Sequence, residues 1–533
     1  MRRALVLFFA AATGYISLSQ EMLWMRAVSY MTGGRPAVFA HVLGFFLVGV
    51  ALGALYGERI CEKHFANGDK SPVRFIGGML MASGCFYYVS IASVGQLLMW
   101  NGGAGMAAVY VVVTFVSFLL GAVFPVLCHY GTRAGESVGL AVSRIYVANI
   151  VGSTLGPLLT GFVLMEYLPT DRIILYLSAA TLALGTAAVI TDLRARAGAF
   201  GTGAIVLLAA MIAGHDRVYA NLLYKLHAYY RPPTAYKYLN ENRSGIIAVS
   251  HYPSGDALFG GGVYDGMFTT DPVIDANGIK RAYMLAALHP NPKDVISIGL
   301  ASASWVRVAA DYQPVRNLTV IEINPGYLEL IRQYPRQASV LTDPKVTIAI
   351  DDGRRWLNRH PDARFDFMLQ NTTWHWRSQA TNLLSADYFR LCKKHLKDGG
   401  VLYLNTTYCD DIPYTAATVF RHVVRYSNFI AASDAPFSLT PQQIRQNLML
   451  FKVNGAPYFD SKDARRQDVV DELAAADLTD LGPALRQRSE FRVITDDNMA
   501  TEYKQVSWFD AQRTWRALLQ RVSGAGRPKG QQP

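Results

Sequence analysis

Acidic and glycine residues follow three predicted β-strands in the second half of the chain. Gly299 ends the run DVISIG. Glu322, 23 residues later, is the second-last residue of LTVIEI, and Asp351, Asp352 and Gly353 follow KVTIAI. Backbone N–H groups at Gly299 can bind a polar or anionic ligand, and a carboxylate at this spacing can accept hydrogen bonds from ribose hydroxyls. A carboxylate after the third strand can bind an exocyclic amine, and a glycine there lets a base ring approach. The pattern predicts a nucleoside-binding site.

Strands alternate with helices around these residues, which predicts an α/β domain with a doubly wound, mainly parallel sheet of the Rossmann type. Such a sheet binds ligands at the carboxyl ends of its strands. A small β-hairpin region precedes it, with strands at 245–250 and 256–264 and a glycine turn at 260–262. The predicted strands are 294–299, 318–323, 345–350, 366–370 and 401–405, and the predicted helices are 280–288, 304–311, 326–333 and 385–396.

The first 215 residues have a different composition. The whole chain is 51% hydrophobic and only 17% charged, against a usual charged share of about 25%. Apolar runs separated by short polar loops predict a polytopic α-helical membrane domain of about seven helices in residues 1–215. A linker and small β-rich domain follow in 216–290, then the Rossmann-like domain in 291–515, then a tail in 516–533 that we expect to be disordered at its end. The apolar runs lie near 4–25, 37–56, 75–98, 106–127, 145–165, 173–191 and 200–213.

Lysine and arginine in the loops predict the orientation in the membrane. One set of helix ends is rich in both residues and the other carries only Arg26, Arg35 and Arg172, so the amino terminus should be cytoplasmic in a cell inner membrane. Seven spans would leave the soluble half periplasmic, whereas six would leave it cytoplasmic. The short run at 200–213 decides between these alternatives.

Small residues recur at four-residue spacing in the second run, at Gly49, Gly53 and Gly57, and in the fifth, at Gly152 and Gly156. This spacing lets two helix backbones approach closely. We therefore expect helix–helix packing at both stripes.

The formal net charge of +11 would suggest nucleic acid on a soluble protein, but much of the basic excess lies in membrane loops and no nucleic-acid motif is present. The five cysteines contain no CxxC pair, which favours neither a disulfide framework nor a metal site. The expected partners are the lipid bilayer and a small-molecule substrate, not nucleic acid. A homodimer is a further hypothesis.

Several segments of the soluble half resemble the spermidine synthases, which are aminopropyltransferases with a small β-rich domain and a methyltransferase-like Rossmann domain. The resemblance runs from about residue 236 to residue 455, and the first two apolar runs, with TGYISLSQEMLWMR and FFLVGVALGALYGERI, are similar to the membrane-fused branch of that family. It implies decarboxylated S-adenosylmethionine or S-adenosylmethionine as co-substrate, and no metal. The segments are YDGMFTTD, HPNPKDVISIG, VIEINPGYLELI, IDDGRRWL, FDFMLQN and LLSADYFRLCKKHLKDGGVLYLN.

The chain differs from the family at the residues that bind the nucleotide and carry out catalysis. The family's glycine-rich loop is reduced to one glycine in GLASAS, and its catalytic aspartate aligns with Asn371 in QNTTWHWR. The family's Tyr-His-Glu stretch aligns approximately with 277–279, and the glutamine of its hairpin motif falls near Phe268. An amide cannot accept a proton as a general base, so Asn371 can only orient a substrate. His375 and Asp410, with its neighbour Asp411, are the candidate replacements.

Two tryptophans, His375 and Arg377 form the loop WHWR where the family places its acidic diamine site. This loop suits an aromatic, anionic or polar substrate better than a dication because Arg377 repels positive charge. Alternatively, the tryptophans fill a vacated pocket or dock on a membrane face.

Three hypotheses of function remain. The first is a membrane-anchored transferase of the aminopropyl type that binds an adenosyl nucleoside. The second is a catalytically degenerate protein that acts as a sensor or in transport. The third is a methyltransferase acting on a substrate near the membrane.

Overall fold

The computed structural model of the protein describes residues 2–65, 71–132, 137–193, 197–228, 231–371, 374–459 and 462–503. The tail predicted at 516–533 lies outside these residues. The chain divides into two compact units. We call the first the helical unit (Met1–Ala235 with Asn240–Ile246) and the second the α/β unit (Tyr236–Leu239 with Ile247–Pro533).

Ten α-helices make up most of the described part of the helical unit. Six helical segments of 23 to 30 residues have the length and apolar composition to cross a membrane, and they coincide with the first six predicted runs. The helices are α1 (Arg2–Thr32), α2 (Ala37–Ile60), α3 (Pro72–Trp100), α4 (Gly102–Gly121), α5 (Val123–Gly131), α6 (Val138–Leu159), α7 (Met165–Tyr167), α8 (Thr170–Leu193), α9 (Ala197–Val218) and α10 (Leu222–Leu226), with π-helical turns at Cys61–Phe65 and Thr160–Leu164.

The seventh predicted run forms α9, which is not among these six segments but packs against α8. α9 begins just after α8 ends. His215 lies near the end of α9, and its Nε2 is 3.0 Å from Oδ2 of Asp171 in the first turn of α8. Arg172 donates to Asp216 at 2.7 Å at the same end. A helix of 22 residues spans about 33 Å, so α9 is as long as a membrane is thick. Whether it crosses one stays a prediction.

Close helix packing at the glycine stripes is confirmed. A Cβ atom placed on Gly49 would lie 2.2 Å from the Thr114 carbonyl oxygen of α4, and one on Gly152 would lie 1.8 Å from the Ala11 carbonyl oxygen of α1. Any side chain at these two positions would push the paired helices apart.

The α/β unit contains a seven-stranded mixed sheet in the order β10-β11-β9-β8-β5-β6-β7 and most of a four-stranded sheet in the order β1-β2-β3-β4. β5 to β9 are mutually parallel, whereas β11 and β10 form an antiparallel edge. The strands are β1 (Tyr236–Asn242), β2 (Gly245–Tyr252), β3 (Gly255–Gly260), β4 (Val263–Met267), β5 (Asp294–Ile298), β6 (Asn317–Glu322), β7 (Val346–Ile350), β8 (Phe365–Gln370), β9 (Leu396–Asn405), β10 (His422–Tyr426), β11 (Phe429–Ser433), β12 (Lys452–Val453) and β13 (Ala456–Pro457).

All five predicted Rossmann strands correspond to β5–β9. Most apolar residues of β5, β6, β8 and β9 are buried on both faces, as at Ile296, Val320 and Leu402, because helices cover both sides of a parallel sheet. Those of the edge strand β7 are half-buried or exposed. The helices are α11 (Lys280–Tyr283), α12 (Leu285–Leu288), α13 (Ser304–Asp311), α14 (Gly326–Ile331), α15 (Pro335–Ala338), α16 (Gly353–Arg359), α17 (Ala386–His395), α18 (Asp411–Val419), α19 (Pro441–Leu448), α20 (Ala464–Ala474) and α21 (Gly482–Arg486), with 3-10 turns at Ala276–Gly278, Ser339–Leu341 and Ala380–Leu383.

Candidate functional site

The carboxyl ends of β5 and β6 bring Glu322 against the loop that begins at Gly299. Glu322 Oε2 accepts hydrogen bonds from the backbone N–H groups of Leu300 at 2.8 Å and Ala301 at 3.4 Å, and Oε1 accepts from Asn324 N–H at 2.8 Å. The side chain is only 4% exposed. Burial raises the pKa of Glu322 to about 7, although the backbone donors oppose the rise. The carboxylate therefore holds the loop directly.

The loop that begins at Gly299 has positive φ angles, which favour glycine, at two positions that are alanine in this chain. Gly299 has a φ of +97°, and Ala301 and Ala303 have φ values of +45° and +59°. The left-handed region costs an L-residue roughly 1–2 kcal/mol, so the surrounding structure must impose this conformation on both alanines. Each alanine also adds a methyl group to a loop that could approach a ligand more closely with glycine.

The acidic residues after β7 form contacts with the first turn of α16. Asp352 accepts from the Arg355 backbone N–H at 2.8 Å as the N-cap of this helix. Asp351 forms an ion pair with Arg355, and its own N–H donates to the Glu322 carbonyl oxygen at 3.0 Å. A Cβ on Gly353 would lie 2.7 Å from Ile298 Cγ2. These contacts are structural, and Asp352 also lines a shallow surface depression rich in arginine.

A cavity of about 460 Å³ opens at the carboxyl ends of β8 and β9. Asn371, which follows β8, lies in its wall together with Trp374 and Thr407. His375 is 8% exposed and contacts the cavity through Thr407, because its Nδ1 lies 2.7 Å from Thr407 Oγ1. Asp410 is not among the lining residues. It is half exposed and accepts from Arg425 at 3.0 Å.

Three carboxylates that the sequence patterns did not single out also line the cavity. They are Asp265 of β4, Asp275 of the following loop and Glu472 of α20. Burial raises the pKa of Asp265, although a hydrogen bond from Tyr327 at 2.6 Å and the charge of Arg377 oppose the rise. Asp265 also acts electrostatically on Glu322. The cavity and the Glu322 loop therefore meet at Asp265.

Residues 282–456 match the family profile described as the spermine/spermidine synthase domain. The C-terminal region is a spermidine synthase-like domain. This confirms the resemblance seen in the sequence motifs. Among the described residues, no group of three or more histidine, cysteine or acidic side chains could hold a metal ion.

Curated relatives of the spermidine synthase-like domain are polyamine aminopropyltransferases. The chain is 27% identical over 117 residues to that of Clostridium perfringens, covering 22% of this chain and 41% of the relative. It is 24% identical over 158 residues to that of Aeropyrum pernix, covering 28% and 50%. The chain thus spans half or less of the length of these relatives.

Solved structures similar to the spermidine synthase-like domain include spermidine synthase from Thermotoga maritima. That match has a TM-score of 0.35 and 17% identity, and it covers 45% of this chain and 84% of the other. A spermidine synthase in complex with the transition-state analogue AdoDATO matches with a TM-score of 0.36 and 19% identity, covering 45% and 85%.

A cation also lies in the cavity wall. Arg281 of α11 lines the cavity, and burial lowers the pKa of its guanidinium. No motif pointed to Arg281, because a single arginine in a short helix resembles any surface cation. Trp374 lies in the cavity wall as well, whereas Trp376 is 4% exposed and packed.

Proposed function

We propose that the α/β unit is a membrane-anchored, spermidine synthase-like transferase. It binds an adenosyl nucleoside of the decarboxylated S-adenosylmethionine or S-adenosylmethionine type at the Gly299 loop and Glu322, and it transfers an alkyl group of the aminopropyl type to an amine in the cavity. One observation carries the proposal: Asp265, Asp275 and Glu472 line a cavity at the strand ends beside Glu322. The proposed domain boundaries remain 1–215, 216–290 and 291–515.

The transfer requires an unprotonated amine. Its nitrogen lone pair forms a bond to the methylene next to the sulfonium, the carbon–sulfur bond breaks, and the electron pair stays on sulfur as a thioether. The amine proton must leave to a base. Asp265 is our proposed acceptor, because its raised pKa favours proton uptake. Asn371 orients the amine, and His375 positions Thr407 in the cavity wall.

The nucleoside half of the site has little spare hydrogen-bonding capacity. A carboxylate offers about four acceptor positions, and three backbone donors already occupy Glu322. A ribose diol donates two hydrogen bonds. Binding therefore requires the weakest of these contacts, from Ala301 N–H at 3.4 Å, to yield.

Calorimetry on the full-length protein in detergent tests the nucleoside site. We expect heat with methylthioadenosine or with decarboxylated S-adenosylmethionine, and loss of that heat in Glu322→Gln. Glu490→Gln, on an exposed surface residue that pairs with Arg488, is the matched control. A folded protein that binds none of these compounds, S-adenosylmethionine included, would refute the proposal.

A second candidate function is a non-catalytic sensor or a transport-associated protein. The arrangement of α9 favours it, because His215 and Asp216 lie at the same end as Asp171 and Arg172. Seven crossings with a cytoplasmic amino terminus would place the chain beyond residue 218 outside the cytoplasm. Adenosyl donors are cytosolic, so a transferase there would lack its co-substrate.

Reporter fusions distinguish the two candidates. Alkaline phosphatase is fused after Ala199 and, separately, after His215. Low activity at both points means that α9 does not cross the membrane, which favours the transferase. High activity only after His215 means seven crossings and favours the sensor or transport function.

A further inference from the structure

Arg281 contributes a half-buried positive charge to the cavity wall. Its guanidinium carbon lies 5.6 Å from the ring centre of Trp305 and 5.1 Å from that of Phe429. Nε donates to the Gly278 carbonyl oxygen at 2.8 Å, and the two terminal nitrogens donate to Asn428 Oδ1 and to the Asn277 carbonyl oxygen. All three acceptors are neutral. The contacts fix the guanidinium in place, and Asp275 acts on its charge electrostatically without forming an ion pair with it.

Each carboxylate of the cavity accepts a hydrogen bond or forms an ion pair with a residue other than Arg281. Glu472 forms an ion pair with Lys280 at 2.6 Å, and Asp265 accepts from Tyr327. Asp275 accepts from the Lys280 backbone N–H at 2.9 Å. Across the ranges that the structure describes, no carboxylate forms an ion pair with Arg281. A partly buried guanidinium without a direct ion-pair partner is only partly stabilised by a more distant carboxylate, and an anionic ligand group would supply that partner.

The opposite charges coexist in one cavity. Its volume of about 460 Å³ lies in the range of small-ligand sites. A ligand that carries ammonium groups alone would bring positive charge to Arg281 with no anion to offset it, whereas Asp265, Asp275 and Glu472 can accept hydrogen bonds from ammonium groups. The charge pattern thus matches a ligand with one anionic and one cationic end.

We propose that the amine acceptor is a zwitterion of the amino-acid class, whose carboxylate pairs with Arg281, rather than an amine that has no carboxylate. This inference rests on the proposed function, since it specifies the substrate of the same site. Arg281 is then the residue that determines specificity, because its planar guanidinium binds a carboxylate with two parallel hydrogen bonds.

Ornithine and putrescine form a matched pair of probes, because putrescine is ornithine without its carboxylate. We expect the full-length protein to bind ornithine about tenfold or more tightly than putrescine in calorimetry with methylthioadenosine present. In Arg281→Met this preference is lost. Arg316→Met, which changes an exposed arginine just before β6, should keep the preference for ornithine.

A second variant keeps Arg281 and places a carboxylate next to its guanidinium. Asn428→Asp places a carboxylate where Oδ1 of Asn428 accepts from Arg281, so ornithine should bind more weakly and putrescine more tightly. This variant also keeps the test decisive if Arg281→Met does not fold.

Each outcome separates this inference from the proposed function. Methylthioadenosine binding with no preference for ornithine, or with no binding of either amine, overturns the zwitterion inference and leaves the transferase in place. An unchanged preference in a folded Arg281→Met or in Asn428→Asp also overturns the inference. An ornithine preference that depends on Arg281, in a protein that does not bind methylthioadenosine, supports the anion site and refutes the transferase.

Discussion

Asn405 donates from its side-chain Nδ2 to Oδ1 of Asn371 at 3.1 Å. Oδ1 of Asn405 accepts from Asn428 Nδ2 at 2.7 Å, and Asn428 Oδ1 accepts from Arg281. Three neutral amide side chains thus form a hydrogen-bonded row from Asn371 to the guanidinium of Arg281. The loss of a carboxylate at 371 and the presence of a cation at 281 belong to one hydrogen-bond network, and both make the cavity less favourable for a dication.

Asn371→Asp should increase transfer to putrescine. The carboxylate can accept the same hydrogen bond from Asn405, and it adds a negative charge and a base to the cavity. We expect methylthioadenosine release from decarboxylated S-adenosylmethionine and putrescine to rise on the order of 10²-fold. Asn358→Asp, on the exposed face of α16, is the control. Equal rates in the two variants, with nucleoside binding intact, would contradict the role of position 371.

Asp265→Asn should abolish most of the transfer while it preserves binding. The amide can still accept from Tyr327 but cannot take a proton, so kcat with the preferred amine should fall on the order of 10²- to 10⁴-fold. Affinity for methylthioadenosine should not change. Asp362→Asn, on an exposed turn, controls for loss of a charge.

The pH profile gives a second measure of Asp265. Because the pKa of Asp265 is raised, activity should begin to fall at a higher pH than an ordinary aspartate would cause, as the base becomes protonated. The residual activity of Asp265→Asn should lack this acid limb. A wild-type profile that is retained in the variant would assign the limb to another group.

The unfolding free energy of the α/β unit should depend on Glu322 between pH 4.5 and pH 7. The pKa is raised from 4.5 to about 7 in the fold, so in this window the folded protein holds a proton that the unfolded chain has released. Raising the pH therefore destabilises the fold, by at most about 1.4 kcal/mol per pH unit, and the effect ends above pH 7.

Glu322→Gln has no such titration, so the comparison isolates it. The melting temperature of the wild type, measured on full-length protein in detergent, should fall relative to the variant from pH 4.5 to pH 7 and then run parallel to it. A constant difference across that range would mean that Glu322 is ionised throughout.

Gly49→Ala should destabilise the helical unit, whereas Gly44→Ala on the same helix should not. A Cβ on Gly49 would lie 1.9 Å from Ser117 Oγ and 2.2 Å from a backbone oxygen, but one on Gly44 would meet nothing within 4 Å. We expect a loss of about 1–3 kcal/mol for Gly49→Ala and a gain of about 0.5–1 kcal/mol for Gly44→Ala. Thermal unfolding in detergent compares them, and equal melting temperatures would exclude close packing of α2 on α4.

The approach of Glu322 to the Gly299 loop was predictable from the sequence. Two neighbouring parallel strands end at one edge of a sheet, so their last residues meet once the strands are recognised. The N-cap contact of Asp352 was not predicted, because an acidic residue before a helix suits an N-cap as well as a ligand. Its role as a nucleoside ligand stays a prediction. Asp410 showed the same ambiguity, and its partner Arg425 lies on β10, a strand that the patterns did not predict.

The order of elements, the apolar helices and the family resemblance all depend on local periodicity and short motifs, and the sequence by itself determined them. The composition of the cavity depends on contacts between distant segments. Arg281 meets Asn428, 147 residues away, and Glu472 comes from a helix beyond the matched domain. Only the tertiary structure placed these charges together, because no local pattern records which turns and helices close over the ends of a sheet.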